Sequence, residues 1–158
     1  MPQVDVGAAK KRQRKLNDWV QLVCVARQGG GKMAVRVLVA DDNAQMREVL
    51  RLILEREGYE VDEAPNGEVA LQRFREKPAD VVVTDILMPE KDGIQTIMEL
   101  WRDYPHVKVI AISGSGGAET ETNLQYARLF GAMKTFPKPV SRNELIGAIE
   151  ELLAAPAQ

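Results

Sequence analysis

The stretch Val35-Arg36-Val37-Leu38-Val39-Ala40-Asp41-Asp42 decides how this chain is read. Its first six residues are almost continuously aliphatic and show no apolar/polar alternation, which describes a strand buried on both faces. Strands of that kind belong to parallel sheets covered by helices, and ligand chemistry in such sheets collects at the strands' carboxyl ends. Here the carboxyl end is a pair of acids.

Downstream, Met46, Val49, Leu50, Ile53 and Leu54 recur at the spacing of one helix face. Asp42 with Gln45 reads as a capping box opening that helix, and Gly58 as its stop. The alternation then repeats. Tyr59 to Ala64 reads as a second strand, and Val69, Ala70, Leu71 and Phe74 as a second helix ended by Pro78. Asp80 to Thr84 is a third strand, and Ile94, Ile97, Met98 and Trp101 mark a third helix. Val107 to Ile112 is a fourth strand, followed by a helix over 119–130. Met133 to Phe136 is a fifth strand, and Ser141 with Glu144 caps a last helix that presents Leu145, Ile149, Leu152 and Leu153. Five successive β/α units predict an α/β fold with a five-stranded parallel sheet and helices on both faces.

Upstream, Gly29-Gly30-Gly31-Lys32 makes a break in the pattern, dividing the chain into 1–32 and 33–158. Residues 1–32 hold seven Lys/Arg against two Asp, a net +5, and residues 33–158 hold fourteen against twenty-one Asp/Glu, a net −7. Leu16, Trp19, Val20 and Val23 would suit a surface-seeking helix beside the Lys10–Lys15 cluster. We read the segment instead as a solvated, flexible basic extension. The triple glycine is not a phosphate loop, because Met33 stands where Ser or Thr is required. An acidic main domain is poorly suited to direct DNA binding.

No apolar run approaches the roughly 18–20 residues of a membrane span. Trp19 to Ala26, interrupted by Gln21, makes no secretory signal. One cysteine, Cys24, and one histidine, His106, supply neither a disulfide nor a Cys/His metal site, so a reducing cytoplasmic compartment is expected. His106 reads as a solvated surface residue, and Trp101 as core.

The strand ends carry the chemistry. Asp41 and Asp42 follow the first strand, Asp85 the third, Ser113 the fourth and Lys138 the fifth. Each acid alone reads equally as a helix cap or loop residue. Three carboxylates on one rim repel unless a cation lies among them, and oxygen ligands without His or Cys point to Mg²⁺.

Asp41-Asp42, Asp85-Ile86-Leu87-Met88-Pro89 with Asp92-Gly93, Ile112-Ser113-Gly114 and Lys138-Pro139, in that order, resemble the receiver domain of bacterial two-component response regulators. The resemblance covers residues 35–154 and implies a flavodoxin-like sheet of strand order 2-1-3-4-5. With little chain beyond the last helix, it implies a stand-alone receiver similar to chemotaxis and phosphorelay regulators. It assigns Asp85 as the phosphoacceptor for a histidine kinase or phosphotransfer protein. Asp42 becomes the direct Mg²⁺ ligand, Asp41 the acid that holds the ion through water, and the Leu87 backbone carbonyl a further ligand. Ser113 becomes the switch hydroxyl and Lys138 the partner of the phosphoryl oxygens, with the Lys138–Pro139 bond in cis. Leu87 and Ser115 stand where the family tunes dephosphorylation. A protein with these roles promotes its own phosphorylation and is not a conventional enzyme; its downstream partner is a protein the sequence does not name.

Charge arithmetic agrees with those roles: three aspartates carry −3, and Mg²⁺ with Lys138 carries +3. One position departs from the family pattern. Thr135 stands where an aromatic switch residue is common, and Phe136, one step on, points to the other side of the strand and reads as core. Three other classes fit these residues less well. A haloacid dehalogenase-type hydrolase needs an acid where Leu87 stands. A flavin or nucleotide binder would meet repulsion between phosphate and Asp41-Asp42. A phosphorylation-independent binding module has no use for the intact Asp/Asp/Asp/Ser/Lys set.

Overall fold

The computed structural model describes residues 34–114 and 116–155, together with Gly7 and Arg14. The basic extension over 1–32, its Leu16–Val23 stripe and Ser115 lie outside the described residues, apart from Gly7 and Arg14 themselves.

Among the described residues from 34 onward, five strands alternate with five helices: β1 (Arg36–Ala40), α1 (Ala44–Arg56), β2 (Glu60–Ala64), α2 (Gly67–Glu76), β3 (Val81–Asp85), α3 (Gly93–Asp103), β4 (Lys108–Ser113), α4 (Gly117–Leu129), β5 (Lys134–Pro137) and α5 (Arg142–Ala154). All pairings are parallel, and the strand order is 2-1-3-4-5. The two sheet faces bury separate cores. Leu38, Val82, Val109 and Ala111 face Leu71 and Phe74 of α2, Ile97 and Leu100 of α3, and Leu124 of α4. Val37, Val39, Val81, Val83 and Ile110 face Leu50 and Leu54 of α1 and Leu145 and Ile149 of α5. β1, β3 and β4 are thus covered on both sides, which is why their sequences lack alternation. β2 at the edge, EVDEA, is only partly buried until Ala64.

The helix starts are chemically specified. Asn66 caps α2 by accepting from the Val69 N–H, and Asp92 caps α3 by accepting from the Gln95 N–H. Ser141 and Glu144 form the expected reciprocal capping box at α5. The expectation for α1 was wrong. Asn43, not Asp42, is its cap, and its Oδ1 accepts from the Gln45 and Met46 N–H groups at 3.0 and 3.1 Å. The cap lies one residue further along because β1 and Asp41 are still tied to the sheet, Asp41 N–H donating to the Ala64 carbonyl.

Trp101, expected in the core, is not buried there. It is 48% exposed and Met98 45%, while Ile97 and Leu100 are fully buried. The buried stripe of α3 runs through Gly93, Thr96, Ile97 and Leu100, leaving Met98 and Trp101 on its shoulder. The Trp101 ring lies against Gly131, where an added Cβ would meet it at 2.9 Å. His106 is half-buried rather than fully solvated. Arg36 interrupts the apolar run of β1 yet is buried. Its guanidinium donates to the Lys77 and Pro78 carbonyls at 2.8 Å and pairs with Asp62 and Glu60, while its backbone N–H donates to Asp80.

Candidate functional site

Register places the chemistry. Ala40 is level with Thr84, Asp85 with Ile112, and Ser113 with Pro137. Asp41, Asp85, Ser113 and Lys138 therefore stand together at the carboxyl edge of β1, β3, β4 and β5. The Lys138 N–H donates to the Ser113 carbonyl at 2.7 Å, and the Lys138–Pro139 bond is cis.

Carboxylate oxygens of Asp41, Asp42 and Asp85 lie within 4.8 Å of one another, and this cluster could hold a metal ion. Asp41 and Asp85 are buried, at 2% and 6% exposure, whereas Asp42 is open to solvent. Lys138 Nζ donates to Asp41 Oδ2 at 2.8 Å and to Asp85 Oδ2 at 3.1 Å. Burial pushes the Asp85 carboxyl above its ordinary value; the Lys138 charge and hydrogen bond oppose that shift without cancelling it, and the Asp41 charge adds to it. Burial alone would lower the Lys138 ammonium, but Asp41 and Asp85 outweigh it and hold its pKa above the lysine norm. One ammonium among three carboxylates leaves the cluster short of positive charge. The donor set is all oxygen with one solvent-facing member, which suits a hard divalent ion that retains several waters.

Ser113 is fully buried, and among the described residues its hydroxyl has no hydrogen-bond partner. A buried orphan hydroxyl costs free energy unless something is brought to it. Leu87 is exposed, and its N–H donates to Asp85 Oδ1 at 3.4 Å. Behind Asp41, its carbonyl accepts from Arg47 at 2.7 Å, and its Oδ1 accepts from the Asn43 N–H at 2.9 Å. The structure thus brings together every residue singled out for the rim. Arg47 was missed, because it acts on a backbone carbonyl and only its i+6 position on the helix after Asp41 hints at that.

Thr135 is half-buried on β5, and its hydroxyl accepts from Arg128 Nε at 2.7 Å. Phe136 packs against the core that α1 and α5 cover, as expected. A groove of about 330 Å³ beside them runs between α4, β5 and α5.

The response regulator receiver domain family matches residues 37–150. The chain belongs to that family. Chemotaxis protein CheY of Thermotoga maritima is 36% identical over 121 residues, covering 76% of this chain and 98% of CheY. The response regulator receiver protein CpdR of Brucella abortus is 33% identical over 120 residues, again 76% and 98%. A crystal structure of a response regulator receiver domain protein from Clostridium thermocellum superposes with a TM-score of 0.70 at 31% identity, covering 75% of this chain and 94% of its own. This receiver, part of a two-component system, carries Asp41, Asp42, Asp85, Ser113 and Lys138 on the rim of its sheet. Among its described residues no helix is long and apolar enough to cross a membrane.

Proposed function

We propose that Asp85 accepts a phosphoryl group from the phosphohistidine of a kinase or phosphotransfer protein, and that the resulting change on the receiver surface is read by a partner protein. The observation that carries this is the pairing of a buried, desolvated Asp85 with Lys138 at 3.1 Å beside the Asp41/Asp42 pair. An Asp85 oxygen forms the new P–O bond as the P–N bond to histidine breaks, and the bond's electron pair returns to the imidazole. Mg²⁺ bound by Asp41, Asp42, Asp85 and the Leu87 carbonyl would supply charge neutralisation at the transferring group. The chain's own part is positional. Lys138 pairs with phosphoryl oxygens, Arg47 and the Asn43 N–H hold Asp41, and the buried Ser113 hydroxyl turns to donate once an acceptor arrives.

Conversion of a carboxylate to an acyl phosphate takes the local charge from −1 to about −2, which draws in that donor. The readout is then a packing change set off by local electrostatics. The protein so described alters itself and is not an enzyme in the ordinary sense. It works in the cytoplasm, as its lone Cys24 suits, and acts through proteins rather than by contacting DNA.

Incubation with Mg²⁺ and acetyl phosphate, followed by intact-mass measurement, tests this. One alkali-labile phosphoryl group should add to the parent and none to Asp85→Asn, whose amide cannot form the acyl phosphate. Equal labelling of the two proteins would remove Asp85 as the acceptor.

A further inference from the structure

The loop that leaves Asp85 for α3, residues 86–92, is held in a shape it would not adopt alone. Glu90 sits at φ 66°, a left-handed conformation that costs a non-glycine residue about 1 kcal/mol or more. Two adjacent tethers hold it there. Glu90 Oε2 accepts from Asn66 Nδ2 at 2.9 Å, and the Lys91 carbonyl accepts from the Gly67 N–H at 3.2 Å. Lys91 then reaches two helices at once. Its ammonium donates to Glu99 of α3 at 2.6 Å and pairs with Glu68 of α2 at 2.9 Å, and Glu99 is also faced by Arg75 at 3.6 Å. The joint is tight: a Cβ on Gly67 would lie 2.7 Å from the Lys91 carbonyl, and one on Gly93 2.1 Å from the Asp85 carbonyl.

We propose that Lys91 is a positioning residue for the acidic rim: by buckling the 86–92 loop onto α2 and α3, it keeps Asp85 and the Leu87 backbone in the geometry that binds a divalent cation. The inference rests on the metal reading given above. A single exposed ion pair contributes little, but Lys91 joins two carboxylates on separate elements at only 21% side-chain exposure. Residues that orient a metal site from behind its ligands matter through geometry and not through charge.

Charge gives the test its sign. Removing a cation makes the domain more negative overall, which can only favour a metal ion, so replacing a bystander Lys91 would leave Mn²⁺ binding as strong or stronger. A positioning Lys91 does the opposite. Mn²⁺ binding, followed by water proton relaxation and calorimetry on the full chain, should weaken about 10-fold in Lys91→Met. Lys91→Arg should stay within about twofold of the parent, since it keeps the cation between Glu68 and Glu99. Lys77→Met, which removes a cation paired with Glu60 at the opposite end of the sheet, is the control and should change nothing. The parent-to-Lys91→Met ratio should shrink as salt screens the exposed side of the network. Lys91→Gln, a milder change, should move in the same direction and serves if the Met variant folds poorly. Unchanged or tighter Mn²⁺ binding in Lys91→Met and Lys91→Gln, with the parent binding normally, overturns the inference alone. Failure of the parent to bind Mn²⁺ overturns the metal reading, and the inference with it.

Discussion

Lys138 Nζ stands 3.1 Å from Asp85 Oδ2, yet the Asp85 carboxyl is still pushed upward by its burial. The lysine is shared with Asp41, which it meets more closely, at 2.8 Å. One cation therefore answers two buried carboxylates, and the site is held at a cost to the fold. Functional rims commonly carry such a cost, since the charge deficit that destabilises the empty site is what attracts a ligand.

That cost has a measurable sign. The Asp85 pKa is higher folded than unfolded, so the folded state holds the proton more tightly. Stability from this group is greatest below its unfolded value of 3.8 and falls as pH rises through the higher folded value. Lys138, also raised, contributes stability that is complete below 10.5 and is lost only as pH climbs through its own folded value. Asp85→Asn should therefore melt higher than the parent at pH 7, by about 1 kcal/mol, or roughly 3–5 °C, and the gain should vanish toward pH 3. A lower melting temperature for Asp85→Asn at neutral pH would mean that the Lys138 pairing outweighs the burial cost.

Ser113→Ala separates the resting molecule from its switched form. The hydroxyl is buried without a partner among the described residues, so its removal should leave unfolding free energy unchanged or raise it by up to about 1 kcal/mol in urea titrations. The same variant should lose its phosphoryl group at a different rate from the parent in intact-mass time courses, because the donor is then missing. A loss of more than about 1 kcal/mol in the unmodified protein would show that the hydroxyl is satisfied at rest.

Neighbouring residues at the start of α1 should behave in opposite ways. Asn43→Ala removes two cap hydrogen bonds and should cost about 1 kcal/mol of stability. Asp42→Ala touches no cap bond and should be near neutral for folding, while weakening Mn²⁺ binding at least 10-fold. Thermal melts and calorimetry on the two variants check both halves of the contrast. Equal Mn²⁺ binding by Asp42→Ala and the parent would remove Asp42 from the ligand set.

The sheet was legible because β1, β3 and β4 are covered on both faces, and such strands announce themselves as unbroken aliphatic runs. The rim was legible too, since strand ends in a parallel sheet converge whatever the loops do. Asn43 was not, because Asp42 and Asn43 are both good caps and only the hold of the sheet on Asp41 decides between them. Trp101 followed the helical period but sits at the shoulder of its stripe, and Gly131 provides the flat place against which it rests. The sharing of Lys138 by two acids, the orphaned Ser113 hydroxyl and the Lys91 buckle are relations between distant segments. No spacing along the chain encodes them.

Arg36 bears on a different matter, the alignment of β1 with its neighbours. A strand that is apolar on both faces gives its partners no pattern to align with, so sliding it along β2 and β3 would bury nearly the same surface. Moving Arg36 by one residue would carry a guanidinium away from the carbonyls of Lys77 and Pro78 and from Asp62 and Glu60, and a buried cation stripped of its partners is costly. The charge at the foot of the strand thus acts as a stop. It fixes, some five residues further along, the height at which Asp41 meets Asp85.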